Sequence, residues 1–196
     1  MTPEIRAFEF ALGLFAVLIG LAVADVATSF HKLMRSRSKV KWDPLVLLAA
    51  LYSLLLAVGM WFDIWGVRKF EVVRHFVFYL AIVAQLFVLF LIAAASLPDD
   101  TEASIDLREY YAANRRYFWF LVSLNQLIYL GLGIYFTGSI FSQLPPLQMV
   151  QMAITLGGAF LVSTVLLFAK SRGAHYVGLM LLFLITLFHY WSMKIN

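Results

Sequence analysis

The sequence predicts an all-α fold, a polytopic transmembrane helical bundle with six transmembrane helices. Three observations lead to this prediction: 63% of the 196 residues are hydrophobic, only 13% are charged, and the mean hydropathy is +0.87. A water-soluble chain of this size could hardly cover so much apolar surface with polar residues. A bilayer core about 30 Å thick requires about 20 apolar helical residues per crossing, and six such runs fill nearly the whole chain.

The six runs form one predicted integral membrane domain over residues 1–196. The predicted crossings are 8–30, 44–67, 74–97, 117–137, 147–169 and 175–193. The first run also contains the small-residue pattern of a signal-peptide cleavage site at Ala22 and Ala24. Its N-terminal flank is poorly basic and its apolar run is long, so a retained helix is favoured over a cleaved signal.

Two of the helix starts have local signals. Asp43 before Pro44 predicts an N-cap followed by proline at the first helical position. Asp106 and Glu109 have capping-box spacing, which predicts a helix that starts inside the third loop. If that helix continues into the fourth crossing, it covers about 30 residues and about 45 Å.

Lysine and arginine are unevenly divided between the two sides, and the side with the excess is expected to be cytoplasmic. The loops after helices one, three and five carry ten of them: Lys32, Arg35, Arg37, Lys39, Lys41, Arg108, Arg115, Arg116, Lys170 and Arg172. The opposite side carries five: Arg6, Arg68, Lys69, Arg74 and Lys194. Both termini are therefore predicted to be periplasmic.

Aromatic residues support the same two boundaries, because their rings prefer headgroup depth. The predicted outer markers are Trp61, Trp65, Tyr190 and Trp191, and the predicted inner markers are Trp42, Tyr117 and Trp119. The formal net charge of +4 is of the kind that attracts anionic lipid headgroups and does not indicate a nucleic-acid partner. The absence of cysteine excludes disulfides, thiolate metal sites and a cysteine nucleophile.

Small residues recur on one face of two helices, which predicts close helix packing. Helix one has such a stripe at Ala16, Gly20, Ala24 and Thr28, and helix five has one at Thr155, Ala159 and Ser163. These stripes fit either packing within the bundle or a homo-oligomer. For the chain as a whole, the expected partners are the lipid bilayer and a second copy or another membrane protein.

Asp25 is the leading candidate for a functional group inside the membrane, because a carboxylate at membrane depth is costly unless it is paired or protonated. Lys32, Arg115 and Arg116 are cations at a similar level. A structural ion pair and a role in proton relay or ion coordination both fit this residue.

Three amide side chains lie near the predicted midplane: Gln85 on helix three, and Asn125 and Gln126 on helix four. Each needs a hydrogen-bond partner in a dry core, and interhelical hydrogen bonds are the ordinary solution. A polar pathway from Asp25 past these amides is the functional alternative.

A second polar set lies toward the predicted outer face and comprises Glu9, Asp63, Arg68, Arg74, His75 and His189. Most of these positions are interfacial, and ion pairs such as one between Asp63 and Arg68 or Arg74 would contribute about 0–1 kcal/mol each. His75 and His189 are at similar predicted depth, as a bis-histidine haem requires. Both have ordinary alternatives as interfacial residues, and no spacing supports a metal site, so no cofactor is predicted.

The third loop has an exposed, mixed-charge pattern. The first turns of its predicted helix carry Arg108, Tyr110, Tyr111, Arg115 and Arg116. A solvated, charge-balanced loop is the simplest interpretation, and a docking or regulatory surface is the alternative.

The stretch SLPDD (Ser96 to Asp100), followed by DLREYYAANRRYFW (Asp106 to Trp119), resembles a motif of an uncharacterised family of six-helix bacterial inner-membrane proteins. The same group has a small-residue-rich first helix, a basic first loop and tryptophans at the end of helix two. The resemblance covers most of the chain. It implies an inner-membrane setting and the all-helical fold, and it implies no activity, substrate or catalytic residue.

No P-loop, G-x-S-x-G, H-E-x-x-H or glycine-rich dinucleotide pattern is present in the sequence. We therefore expect a membrane scaffold, sensor or accessory subunit without catalysis of its own. One alternative is a small channel or proton-coupled transporter that uses Asp25 and the midplane amides. The other is a haem or metal redox protein that uses His75 and His189.

Overall fold

A computed structural model describes residues 3–67, 75–99, 104–140, 149–151 and 154–191, and side chains in these ranges apart from 3–7 and 136–140. In this part of the chain the fold is all-α, as predicted. Six helices are long and apolar enough to cross a membrane by length and composition. The prediction of six helical crossings in a multi-pass membrane protein is thus supported by the length and apolarity of each helix.

The helices run α1 (Pro3–Arg35), α2 (Pro44–Gly66), α3 (Phe76–Ser96), α4 (Leu107–Ile140), α5 (Ala159–Phe168) and α6 (Arg172–Trp191). A π-helical segment at Ile154–Gly158 leads into α5, and both belong to the fifth apolar span, Met149–Phe168, which is long enough to cross a membrane. Arg37–Lys39 form one turn of 3-10 helix. Two short strands, β1 (Val40–Lys41) and β2 (Ile105–Asp106), pair in parallel.

Capping residues fix several helix ends. The Asp43 side chain accepts a hydrogen bond from the backbone N–H of Leu45 at 2.9 Å, and Pro44 follows at the first helical position, as predicted. α3 ends at Ser96 because Leu97 precedes a proline and is extended, with φ −133° and ψ 149°. These ends lie within two residues of the predicted ones.

Two helices are longer than predicted. α1 continues past Phe30 to Arg35, because the cations of its last turn favour the negative end of the helix dipole. α4 begins at Leu107 and not at Tyr117, because Asp106 caps it. The conditional expectation of one continuous helix through the third loop and the fourth crossing is confirmed, and α4 has 34 residues.

The chain divides into two compact units, an N-terminal unit (Met1–Asn114) and a C-terminal unit (Arg115–Asn196), and the boundary falls within α4. In the N-terminal unit, α1 packs mainly against α3, and α2 packs against both. In the C-terminal unit, α5 and its π-helical segment pack against α6. The single membrane domain over residues 1–196 stays a prediction.

The two small-residue stripes differ in their surroundings. On helix five, Thr155, Ala159 and Ser163 are buried, and they serve packing within the C-terminal unit. On α1 the whole predicted stripe is exposed, and a Cβ added at Gly20 would meet nothing within 4 Å. We expected another helix to pack closely on the α1 stripe, but no helix in the described part of this chain does so.

At Gly178, α6 lies very close to a side chain of α5. A Cβ at this position would lie 2.6 Å from Cδ1 of Leu166 on α5, and Leu166 is itself buried. Close approach of two helices at a glycine is a common packing solution in membranes.

We expect Gly178→Ala to destabilise the protein by about 1–3 kcal/mol, because overpacking forces a buried neighbour to move. Thermal unfolding of the purified protein in detergent measures the effect. Gly131→Ala is the matched control, since an added Cβ there has open space and gains the same helix propensity. Equal stability of the two variants would contradict the close α5–α6 approach.

Candidate functional site

Asp25 lies in a polar cluster at the end of α1. Asp25, Ser29 and Lys32 are spaced at i, i+4 and i+7, so they share one face of the helix. Asp99, which follows α3, accepts a hydrogen bond from Ser29 Oγ at 2.8 Å and lies 3.5 Å from Lys32 Nζ. We call these four residues the Asp25 cluster.

Asp25 is half-buried in this cluster and within electrostatic range of both the Asp99 carboxylate and the Lys32 ammonium. Lys32, one of the cations considered from the sequence, is therefore close to it. Because α1 extends to Arg35, Asp25 lies ten residues before the end of the helix and not five. Asp99 is the residue that sequence reasoning missed, although it belongs to the SLPDD motif.

The first and third loops are joined by a structure that we call the loop clamp, formed by Val40, Lys41, Ile105 and Asp106. Val40 pairs with Ile105 and Lys41 with Asp106 in a parallel ladder, and Lys41 Nζ lies 3.4 Å from Asp106 Oδ2. The other carboxylate oxygen of Asp106 accepts backbone N–H groups at the start of α4. One carboxylate thus caps a helix and fixes two loops together.

The pKa of Asp106 is lowered. Partial removal from water acts to raise the pKa, but hydrogen bonds from the backbone N–H groups of Glu109 and Arg108 and from the Lys41 ammonium outweigh it. The charged carboxylate is therefore the form that the loop clamp requires.

Most of the predicted third-loop surface is engaged in packing. Tyr110 donates a hydrogen bond from its hydroxyl to the Ala95 carbonyl at 3.2 Å, and Tyr111 is buried. In the C-terminal unit, Arg115 donates to the Ala169 carbonyl at 2.6 Å. Arg108 and Arg116 are exposed, so these two residues remain available on the predicted surface.

His175 is a buried group that the sequence analysis did not single out. Its Nε2 donates to the Ala169 carbonyl at 3.1 Å, which fixes the tautomer in this contact. Its ring centroid is 5.8 Å from that of Trp119, and both side chains are fully buried. Trp119 is therefore a core residue of the C-terminal unit and not the interfacial marker that we expected. In the sequence, a histidine next to Gly173 and Ala174 at the start of a helix is equally typical of the membrane–water interface. The neighbouring residues therefore did not indicate that His175 is buried.

The midplane amides are all buried, at 2% exposure for Gln85, 4% for Asn125 and 5% for Gln126. The side-chain oxygens of Gln85, in the N-terminal unit, and of Asn125, in the C-terminal unit, have no hydrogen-bond partner among the described residues. Each is a polar atom in an apolar setting, which is costly without a partner.

The predicted outer-face residues have different surroundings. Glu9 is exposed and Asp63 is half-buried, while Arg68 and Arg74 lie outside the described residues. His75 is exposed at the start of α3. His189 is half-buried, and its Nε2 lies 3.4 Å from the Tyr129 hydroxyl. Among the described residues there is no group of three or more His, Cys, Asp or Glu that could hold a metal ion.

Comparisons with protein-family models, with curated proteins and with solved structures gave no match to this chain.

The lowered pKa of Asp106 predicts a loss of stability in acid. A carboxyl whose pKa is depressed on folding adds stability above its unfolded pKa of about 3.9, and this contribution disappears as pH falls through the lower folded pKa. We expect thermal unfolding in detergent between about pH 5 and pH 3 to show a smaller acid-induced decrease in Tm for Asp106→Asn than for the wild type. Glu9→Gln, at an exposed position, is the control and is expected to follow the wild-type profile. Identical profiles for wild type and Asp106→Asn would contradict the role of this carboxylate.

Proposed function

We propose that the chain is a multi-pass protein of the bacterial inner membrane that acts as a scaffold, sensor or accessory subunit and has no catalysis of its own. Both termini are periplasmic in this proposal, so the loop clamp faces the cytoplasm. The uneven distribution of lysine and arginine supports this orientation. The third-loop motif supports membership of the six-helix inner-membrane group that the sequence resembles.

The observation on which the proposal mainly rests is the loop clamp. Loops far apart in sequence are usually mobile and cost entropy to order. Here the first and third loops are held together by β pairing and by the Lys41–Asp106 ion pair. The held segments present Arg37, Lys39 and Arg108 as exposed cations. A pre-ordered cationic surface favours binding, because a partner need not bear the cost of ordering it.

The exposed stripe of α1 gives independent support from within the membrane. Small residues allow two helix backbones to approach closely, and Gly20 has open space at its Cβ position. By contrast, the stripe on helix five is buried by the chain itself. The α1 stripe and the cationic surface belong to the same unit, so one partner could contact both.

The chemistry of these surfaces defines the partner. We propose a different membrane protein with one helix that packs on the α1 stripe and an acidic segment next to that helix, which binds Arg37, Lys39 and Arg108. Such charge complementarity chiefly increases the association rate and the specificity.

Photo-crosslinking in cells tests this proposal. With a photo-reactive residue at Ala112, an exposed position one helical turn after Arg108, we expect one protein adduct of defined mass. This adduct is lost on Gly20→Leu because the bulky side chain blocks helix approach. The adduct is also lost on the charge reversal Arg37→Glu with Lys39→Glu. Gly131→Leu, at an open position of α4, is the matched control and should retain the adduct.

A photo-reactive residue at Val77, an exposed position of α3, serves as the lipid-facing reference. The proposal fails if position 112 gives no more protein adduct than position 77, or if the adduct persists in both variants. An adduct with the mass of two copies of this chain would replace the heteromeric partner with a homo-oligomer.

Transport is a second candidate, and the buried Gln85 oxygen is the observation that favours it. This oxygen has no hydrogen-bond partner among the described residues. Such an atom in an apolar core is a feature of polar pathways as well as of packing. Asp25, half-buried in the same unit, would be the proton-carrying group.

Reconstituted liposomes distinguish transport from the scaffold role. We expect proton flux no greater than in protein-free liposomes, because the scaffold needs no pathway. Flux that disappears in Asp25→Asn and persists in Glu9→Gln would instead establish the transporter.

A further inference from the structure

Charge is divided unequally between the two units. All 11 aspartates and glutamates lie before Tyr110, and residues 115–196 contain none. The same 82 residues carry five cations: Arg115, Arg116, Lys170, Arg172 and Lys194. The C-terminal unit therefore has no side-chain carboxylate of its own to neutralise these cations.

Four of these cations are gathered at one end of the unit, where the chain turns from α5 into α6. Arg115 reaches the turn through its hydrogen bond to the Ala169 carbonyl, and Lys170 and Arg172 follow Ala169 closely in sequence. The guanidinium groups of Arg115 and Arg172 both act electrostatically on His175. Arg116 and Lys170 are exposed. We call Arg115, Arg116, Lys170 and Arg172 the basic turn.

The position of Arg115 is fixed by burial around it. The Ala169 carbonyl accepts from both Arg115 and His175, and the His175 ring lies against the fully buried Trp119. A guanidinium has five N–H donors, and the hydrogen bond to Ala169 uses one of them. The side chain is therefore held in place while donors remain for an anion.

Exposed apolar residues lie next to the basic turn along each helix. Phe120 on α4 is 52% exposed, Phe168 at the end of α5 is 76% exposed, and Val177 on α6 is 62% exposed. A small soluble anion would make no favourable contact with these apolar side chains. A molecule with an anionic head and hydrocarbon chains matches both parts of it.

We infer that the basic turn binds the phosphodiester headgroup of an anionic phospholipid, whose acyl chains lie along Phe120, Phe168 and Val177. Arginine and lysine groups at a helix end on the inner leaflet are suited to such headgroups. Bound lipid supplies the negative charge that the sequence of this unit lacks, and it ties the α5–α6 turn to the membrane surface. The site lies in the C-terminal unit and does not depend on the partner proposed for the N-terminal one.

Native mass spectrometry of the full chain, extracted from vesicles that contain phosphatidylglycerol and phosphatidylcholine, tests the inference. We expect retained phosphatidylglycerol on the wild type. Arg116→Gln with Lys170→Gln should lower its affinity about 30-fold, the loss expected for two cations at a membrane surface. Arg6→Gln with Lys194→Gln removes the same charge on the opposite side of the predicted topology and should leave the affinity unchanged.

Two further measurements complete the test. One controls for a loss of folding in the neutral variant, and the other distinguishes a lipid site from a site for free phosphate. Arg116→Lys with Lys170→Arg keeps the charge and should retain phosphatidylglycerol, so this variant still tests the site if the neutral one does not fold. Inorganic phosphate added at the same concentration should not displace the lipid. Equal loss in both neutral variants, equal retention of phosphatidylcholine, or displacement by phosphate would each overturn the inference.

Discussion

The hydrocarbon interior of a bilayer offers no hydrogen-bond partner to a peptide group, so a chain that crosses it must satisfy its backbone within helices. This constraint determines where the protein can hold specific chemistry. Along the six apolar helices the backbone is already paired, and most outward side chains are aliphatic or aromatic. Turns and strand pairing can form only where a helix ends, and charged side chains are least costly there. The salt bridges Lys32–Asp99 and Lys41–Asp106 both join residues near or beyond a helix end.

The third-loop motif shows how one short segment uses these ends. Asp99 joins the end of α3 to α1, and Asp106 caps α4 while it joins the third loop to the first. Tyr110 then ties the first turns of α4 back to α3. Within the C-terminal unit, Arg115 and Trp119 contact Ala169 and His175 in the same way. A motif of charged and aromatic residues can therefore be a set of structural contacts even when its composition resembles a docking surface.

The sequence was sufficient for the features that follow from composition and local signals. Helix number follows from hydropathy, and the starts at Pro44 and Leu107 follow from Asp43 and Asp106, because capping is a contact between near neighbours in sequence. The surroundings of His175 and Trp119 could not be obtained in this way, since apolar periodicity does not distinguish a lipid-facing position from a buried one. The same limit applies to the small-residue stripes, where Ala159 proved buried and Ala24 exposed.

The division of charge gives the two units different requirements. In the N-terminal unit, Lys32 pairs with Asp99 and Lys41 with Asp106, and exposed cations of the first loop lie beside these pairs. In the C-terminal unit, the basic turn lies at the start of α6, where Arg115 donates to the Ala169 carbonyl. Residues 115–196 contain no aspartate or glutamate. An electropositive cluster of this kind repels itself unless anions are near, and it is more weakly screened at a membrane boundary than in open water. Since anionic headgroups are concentrated at that boundary, the membrane surface itself can supply the neutralising charge. The C-terminal unit then needs no acidic residues of its own, which would be costly to place in its apolar helices.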